Sequence, residues 1–411
     1  MRLFLYFTIL LSAPLVLNAK AIHVGRSKQY NTIRQALSSA EAGDTIYIHE
    51  GNYLEGNLEI TKPLTIIGVN YPVIDGNKKV EVISVRSSDV TIDGLKVVRS
   101  GYATLEDPCG IKVYDSHRVH ILNNILDDNF FGIYLQYSKY CVVKNNRITA
   151  YGKAEQEIGN GIHCWKSDTL RIFGNTINGH RDGIYFEFVG GSVIWNNVSL
   201  NNIRYGLHFM FSNNDMYINN TFKNNGAGVA VMFSKNVSMF NNTFIENWGD
   251  AAYGLMLKEI SDGYISGNKF LNNTSGIFME GASRMFVEKN VFDGNGWGMK
   301  IQASCLDNII NNNNFTSNTF DVSTNGSLVQ NKFENNYWDK YEGYDLNRDG
   351  VGDVPFHPLS LFSVIVESNP PAMILFRSFM VNLLDRSEKL IPSLTPDNFV
   401  DEKPLMKRLS L

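Results

Sequence analysis

The chain has 411 residues, 44% of them apolar, and a formal net charge of −4. That is enough material for a large core, compact or elongated, while the lack of any basic block argues against a nucleic-acid partner. Asn is abundant and often doubled, as in Asn123-Asn124 and Asn241-Asn242, which disfavours a helical protein because Asn competes with the helix backbone for hydrogen bonds.

The first residues, MRLFLYFTILLSAPLVLNAKA, place Arg2 before an apolar run from Leu3 to Leu17 and a small-x-small site at Ala19-Lys20-Ala21. This reads as a secretory signal peptide over residues 1–20. No later run reaches the roughly 18 apolar residues of a spanning helix, so the expected product is exported and soluble. Residues 31–42 (NTIRQALSSAEA) read as a short amphipathic helix that caps the open N-terminal end of the fold.

From residue 110 the chain repeats itself. Gly-led strand-like runs start at Gly110, Gly132, Gly161, Gly183, Gly206, Gly228, Gly254, Gly276 and Gly298, in steps of 22, 29, 22, 23, 22, 26, 22 and 22. Between them recur Asn-x-apolar triplets (NRI, NTI, NTF, NKF) and Ser-led segments such as SHRVHI and SKNVSM. Three short apolar-alternating runs per unit, parted by Gly, Asn or Ser turns, are too short for a helical repeat. They predict an all-β protein, a right-handed parallel β-helix (a pectin-lyase-like solenoid) over residues 21–360. A recurring Asn at one turn predicts a side-chain ladder and left-handed backbone.

Alternation assigns the faces. Counting each repeat Gly as zero, positions +1 and +3 are apolar throughout, as in Leu207/Phe209 and Val229/Val231, and form the core face. Cys164 falls on this face and Cys141 also reads as core-facing, so packed free thiols are expected. Positions +2 and +4 are mixed and point outward: His163/Trp165, Tyr185/Glu187, His208/Met210, Ala230/Met232, Met256/Lys258. With coils about 4.8 Å apart, His208, Met210, Met232 and Met256 form one outward patch. Thioether and imidazole suit Cu(I), whereas calcium, magnesium and zinc rarely use Met. His163 and Glu187 are accessory candidates. Extra residues near 101–108, 150–159 and 247–252, each just before a Gly strand, are placed to wall this face. Exposed Met and aromatic side chains that merely cover a sheet are the bland alternative.

A rival reading is a polysaccharide lyase or C5-epimerase acting on uronate polymers, with Tyr185, Glu187, Trp165, His163 and Lys258 lining a sugar subsite. That chemistry needs a base near the sugar C5 proton and cations on the carboxylate. The face has few arginines and no compact Asp/Arg/Lys constellation, so this ranks second. Separately, Asp345, Asn347, Asp349 and Asp353 alternate oxygens around Gly350, like a calcium loop lacking its twelfth-position Glu. Structural calcium and an acidic turn both remain open there. Over 361–411, Pro370-Pro371 marks a boundary. Met373, Phe376, Met380, Leu383 and Leu384 then make an apolar helical stripe, followed by a polar, extended end. Part cap and part partner contact is the expectation.

The leader, the Asn/Gly coils, YGLHFMFSNND at 205–215, YWDKYEGYDLNRDGVGDVPF and the end DEKPLMKRL together resemble the NosD family over nearly the whole chain. These are periplasmic maturation proteins of nitrous oxide reductase, an enzyme of denitrification. The resemblance implies a non-catalytic platform working with an ABC-type ATPase and membrane permease. A copper-chaperone lipoprotein would supply Cu(I) for the copper–sulfur centre of the reductase. It also implies that the tail docks on the permease, so that membrane contact is made through the partner. It assigns no ligands; those rest on the strand faces.

Overall fold

The computed structural model describes residues 19–102, 107–249, 252–326, 330–376, 378–390 and 399–411. The expected leader over 1–20 therefore falls almost wholly outside the described residues, as does 391–398. Parallel strands cannot be joined by tight hairpins and need a crossover. Here the crossover from one strand to the next of the same sheet is two further strands. Each coil thus contributes to three parallel sheets, of 14, 12 and 13 strands. The result is the expected right-handed parallel β-helix. The first sheet includes His120–Leu122 and Val142–Lys144, and the third includes Ile125–Asp127 and Arg147–Thr149. The Gly-led strands build the second sheet, from Cys109–Tyr114 through Tyr205–Met210 to Phe320–Ser323.

The inward residues stack coil upon coil. In the third sheet Phe222, Phe244, Phe270, Phe292, Phe315 and Trp338 form one column with ring centroids 5.5, 4.7, 4.9, 4.6 and 4.2 Å apart. Offset ring stacking adds to the large apolar area these residues bury. The repeat glycines are required by backbone approach. A Cβ at Gly206 would lie 2.6 Å from the carbonyl oxygen of Gly228, and one at Gly228 would lie 2.4 Å from that of Gly254.

The Asn ladder exists and has two rails. In the first, Asn146 Oδ1 accepts from both the backbone N–H of Asn124 at 2.9 Å and its Nδ2 at 3.1 Å. Asn146 Nδ2 donates to the Ile121 carbonyl at 3.0 Å. The same geometry continues through Asn175, Asn197, Asn220, Asn242, Asn268, Asn290, Asn313 and Asn336. Asn123, Asn145, Asn219 and Asn241, one position earlier, take the left-handed backbone with φ of 52–55°. The second rail runs Asn202, Asn225, Asn247, Asn273, Asn295, Asn318.

Both ends are covered, which protects strand edges from pairing with other chains. Helix α1 (Ile33–Ser39), inside the predicted 31–42, is N-capped by Thr32 and buries Ile33 and Ala36. At the other end, residues 399–411 pack on the last coils. Phe399 is buried against Phe333, with ring centroids 5.2 Å apart. Asp401 and Leu405 bridge in parallel to Phe333 and Tyr337. Asp401 ends the first rail: its Oδ2 accepts from Asn336 N and Nδ2, both at 3.1 Å, and from Trp338 Nε1 at 3.0 Å. A carboxylate only accepts, so it closes a chain of donors without needing another rung. Helices α2 (Leu361–Ser368) and α3 (Phe379–Leu390) pack through Phe362, Val366 and Val381 on Phe320 of the second sheet. Ile374, Phe379, Met380 and Leu383 remain exposed. No helix among the described residues is long and apolar enough to cross a membrane. All four cysteines are free and buried.

Two substitutions test this architecture. Asp401→Ala strands three buried donors and should destabilise the fold by about 3 kcal/mol, read as a lowered urea midpoint; an unchanged midpoint would remove Asp401 from the ladder. Asp215 lies in the core, where burial pushes its pKa up to about 8. Its folded pKa is raised, so its stability contribution is complete below pH about 4 and is lost as pH rises to about 8. Asp215→Asn should therefore gain on the order of 1–3 kcal/mol over wild type at pH 8 and little at pH 4; equal melting temperatures at both pH values would refute this.

Candidate functional site

The site is built on two outward columns of the second sheet. Rung by rung, the +2 column pairs Lys112, Tyr134, His163, Tyr185, His208, Ala230, Met256, Phe278 and Lys300. The +4 column pairs Tyr114, Gln136, Trp165, Glu187, Met210, Met232, Lys258 and Glu280. Met210 and Met232 are direct partners on adjacent strands and half-buried. Met256 follows Met232 by one coil in the neighbouring column. Ala230 separates His208 from Met256, so those two backbones lie about 10 Å apart. The structure thus joins Met210 to Met232 and sets His208 beside Met210 on the same strand. Glu187 is the rung partner of Met210, and His163 lies two coils before His208.

The +2 column faces outward yet is largely buried, including Lys112, Tyr134, His163, His208 and Ala230. The lengthened coils account for part of this cover. Tyr102 donates to the Gln156 carbonyl at 2.8 Å, tying the loop after residue 100 to that at 150–159, and Gly159 N donates to Phe130 O at 3.0 Å. Beneath lies a continuous row of ring contacts: Tyr134–His163 stacked at 4.3 Å, His163–Tyr185 edge-on at 4.9 Å, and Tyr185–His208 and His208–Tyr205 tilted at 4.8 and 4.7 Å. Lys112 Nζ sits 4.7 Å from the Tyr134 ring centre and 3.9 Å from Glu81. Burial raises the Tyr185 hydroxyl to about 12.

Around His208 the structure corrects the sequence reading. A compact Asp/Arg group is present on this face: Asp182 lies 3.6 Å from Arg204, 4.0 Å from Arg181 and 3.7 Å from His208 Nδ1. These residues precede the Gly of their strands and so escaped a reading confined to positions +1 to +4. Their signal was available, because Arg181-Asp182 and Arg204 interrupt a column that later coils fill with uncharged residues (Gly226-Ala227, Thr274-Ser275). Both His208 ring nitrogens lack a hydrogen-bond partner, as do His163 Nε2, His180 Nε2 and Arg181 Nε. Orphaned buried polar atoms on this scale are uncommon and call for an explanation. Beside the methionines, Phe188, Phe211 and Phe233 form an exposed stack with centroids 5.1 and 5.2 Å apart, all three with φ of 50–53°. Bulky residues seldom adopt that backbone.

Among the described residues no three His, Cys, Asp or Glu side chains converge as a metal-binding group; a soft-metal site would rest on thioethers and His208. At the exposed 345–353 loop the oxygens are engaged internally. Asp345 accepts from Asp349 N and Gly350 N, Asn347 Oδ1 from Asp349 N, and Asp353 from Leu346 N at 2.7 Å. These bonds are common to an acidic turn and to a calcium loop.

The fold and its outward sheet define a β-solenoid of the pectin-lyase-like class. A catalytic domain of a GH87 α-1,3-glucanase shares that architecture with a TM-score of 0.62, 14% identity, and coverage of 78% of this chain and 69% of that one. The chain itself belongs to the family described as periplasmic copper-binding protein (NosD), whose model matches residues 37–154 and 149–343. Two relatives carry the name "Probable ABC transporter binding protein NosD". That of Stutzerimonas stutzeri is 26% identical over 377 residues, 87% of this chain and 85% of the relative. That of Pseudomonas aeruginosa is 26% identical over 371 residues, 86% of each. These relatives are named as binding proteins, not enzymes.

The buried imidazoles make a pH prediction. Burial pushes His163 down to about 3 and His180 down to about 4. Lowered folded pKa values mean that the unfolded chain binds the extra protons. The contribution of these two imidazoles to stability should therefore be level above pH 6.5 and decline from there toward pH 3–4, by on the order of 1–2 kcal/mol per imidazole at about pH 5. His180 occupies a place on the second rail and donates its backbone N–H to Asn202 Oδ1 at 3.1 Å. His180→Asn should keep the fold and flatten part of that decline; an unaltered pH profile would count against it.

Proposed function

We propose that this protein receives Cu(I) on its outward face and presents it for copper-site assembly of nitrous oxide reductase, together with an ABC transporter. The observation that carries the proposal is the Met210–Met232 rung pair beside His208, whose ring nitrogens are unpaired. Two thioethers and an imidazole form a donor set suited to Cu(I). Asp182, 3.7 Å from His208 Nδ1 and so beyond hydrogen-bond length, favours a proton on Nδ1 through its charge, which would leave Nε2 for the metal. Met256 and Glu187 adjoin the pair. The copper-binding description of the family and the transporter-binding name of the relatives support this reading.

Delivery requires contact with other proteins. The Phe188–Phe211–Phe233 stack adjoins the methionine pair and offers an apolar surface to a copper-chaperone lipoprotein on one side of transfer and to the reductase on the other. Exposed Ile374, Phe379, Met380 and Leu383 on the C-terminal helices are suited to docking on a membrane permease and its ATPase. Copper is cargo in this scheme, and the platform does no chemistry on it. The uronate lyase or epimerase reading is disfavoured because Asp107 and Glu187 line the nearby groove, where they would repel a uronate carboxylate.

Competition titration with a chromophoric Cu(I) chelator tests the assignment. Met210→Ala/Met232→Ala should weaken Cu(I) binding at least about tenfold, with a smaller loss for His208→Ala, since each removes one donor from a small soft set. Met279→Leu, on the buried inward face, should have no effect. Equal affinity of wild type and the His208/Met210/Met232 triple alanine variant would overturn the ligand assignment.

A further inference from the structure

The outward sheet carries a second concavity, which adjoins the methionine pair at Glu187, the rung partner of Met210, and extends from there over the coils nearer the N-terminus. It has a volume of about 410 Å³ and is lined by Asp107, Lys112, Tyr134, Gln136, His163, Trp165 and Glu187. Its floor is the Lys112–Tyr134–His163 stretch of the buried column, and its side is the Gln136–Trp165–Glu187 stretch of the half-exposed one. Apart from Asp107 the lining sits on strands, and it is mainly polar and charged with the Tyr134 and Trp165 rings among the polar groups.

The polar groups there are incompletely used. Asn160 Nδ2 lies 3.3 Å from His163 Nδ1. An amide nitrogen only donates, so with the Asn160 amide in this orientation Nδ1 accepts and the ring proton falls on Nε2. That Nε2 has no partner, although His163 is 8% exposed. A buried N–H without an acceptor is costly, and this one belongs to a side chain that lines the cavity. Lys112 is buried with Glu81 at 3.9 Å, too far for a hydrogen bond, so its donors are also available. Glu187 and Asp107 supply acceptors at the rim. The cavity therefore asks for a ligand that accepts at its floor, donates at its rim and carries an apolar face for Trp165.

Charge narrows the class. Glu81 balances Lys112, and His163 is uncharged, so Asp107 and Glu187 leave the lining acidic. An anionic ligand would meet both carboxylates.

We infer that this cavity is a binding subsite for an uncharged sugar unit of a glycan, lying beside the Cu(I) patch and without hydrolytic or epimerising action on it. Hydroxyl groups both donate and accept, which matches the mixed lining, and the carbon face of a pyranose ring suits the wall made by Trp165. The lining residues succeed one another along the coil axis, so a glycan chain would lie across successive rungs. The protein would then hold an envelope glycan with one part of the sheet while another part handles its cargo.

The test uses the whole protein and two defined probes, N-acetylglucosamine tetramer and an oligomannuronate of equal length, followed by calorimetry and by ligand-observed NMR. Binding of the neutral tetramer, weakened at least about tenfold by Trp165→Ala or His163→Ala, is the expected result. Glu187→Gln, on the half-exposed column and compatible with the fold, should weaken it several-fold. Met210→Ala/Met232→Ala should leave it unchanged while altering the Cu(I) titration, so failure of one reading is distinguishable from failure of the other. Three outcomes would overturn the inference: no tetramer binding by wild type, tighter binding of oligomannuronate, or cleavage or epimerisation of either probe.

Discussion

Backbone pairing between successive coils is the interaction on which everything else depends, and the buried Asn rails hold that pairing in register. A parallel β-helix has no hairpins to fix its alignment, and a slip of one residue would turn every inward side chain outward. Each rail Asn makes the slip expensive. Its Oδ1 takes two donors from the preceding coil and its Nδ2 reaches a carbonyl of that same coil, as at Asn146. Slippage would leave all of these groups unpaired inside the core. The consequence reaches the outward face, where columns such as Met210–Met232 exist only because register is constant from coil to coil.

The rails also explain where the solenoid tolerates extra chain. Asn124 and Asn146 are 22 residues apart, whereas Asn146 and Asn175 are 29 apart, yet the backbone-to-side-chain bond is 2.9 Å in both. The additional residues sit between the third sheet and the next Gly strand, outside the first rail. The second rail bears the cost. Tyr151 and His180 stand in the coils between Asn129 and Asn202, where other coils use Asn. Asn160, His163, His180 and Arg181 all carry unpaired buried atoms in this neighbourhood. Local rules are broken where the outward face acquires its walls and buried histidines, as expected where function is grafted onto a regular scaffold.

Much of this was legible in the sequence because its signal is periodic. The 22-residue Gly spacing, the alternation at positions +1 and +3 and the Asn triplets carry fold, faces and ladder together. The rung pairing of Met210 with Met232 follows from counting alone. What escaped was aperiodic. Asp182 and Arg204 lie before their strands, and Lys112 lies on a coil ahead of those whose outward positions were read. The burial of outward-facing His163 and His208 depends on side chains ahead of the Gly positions, such as Phe131, Asp182 and Tyr205, which counting from the Gly leaves out. The role of residues 399–411 was hidden for a different reason. Their contacts with Phe333, Asn336 and Trp338 cross some 65 positions of sequence, and a polar, Pro-punctuated segment gives no hint that its one Asp replaces a ladder Asn.

Burial of the +2 column bears on how cargo could be held. A soft cation on an open sheet would exchange freely with water and with every thiol it met. Here Met210 and Met232 are half-covered, while His208 is enclosed by Tyr185, Tyr205 and Asp182. Exchange would then be governed by what contacts the Phe188–Phe211–Phe233 stack beside the pair. Those rings occupy backbone that costs energy and surface that costs more, a combination a solenoid coil does not need, since Glu259 holds the corresponding left-handed turn in a later coil. Three strained, exposed phenylalanines in register are better accounted for by a partner that covers them than by the fold that carries them.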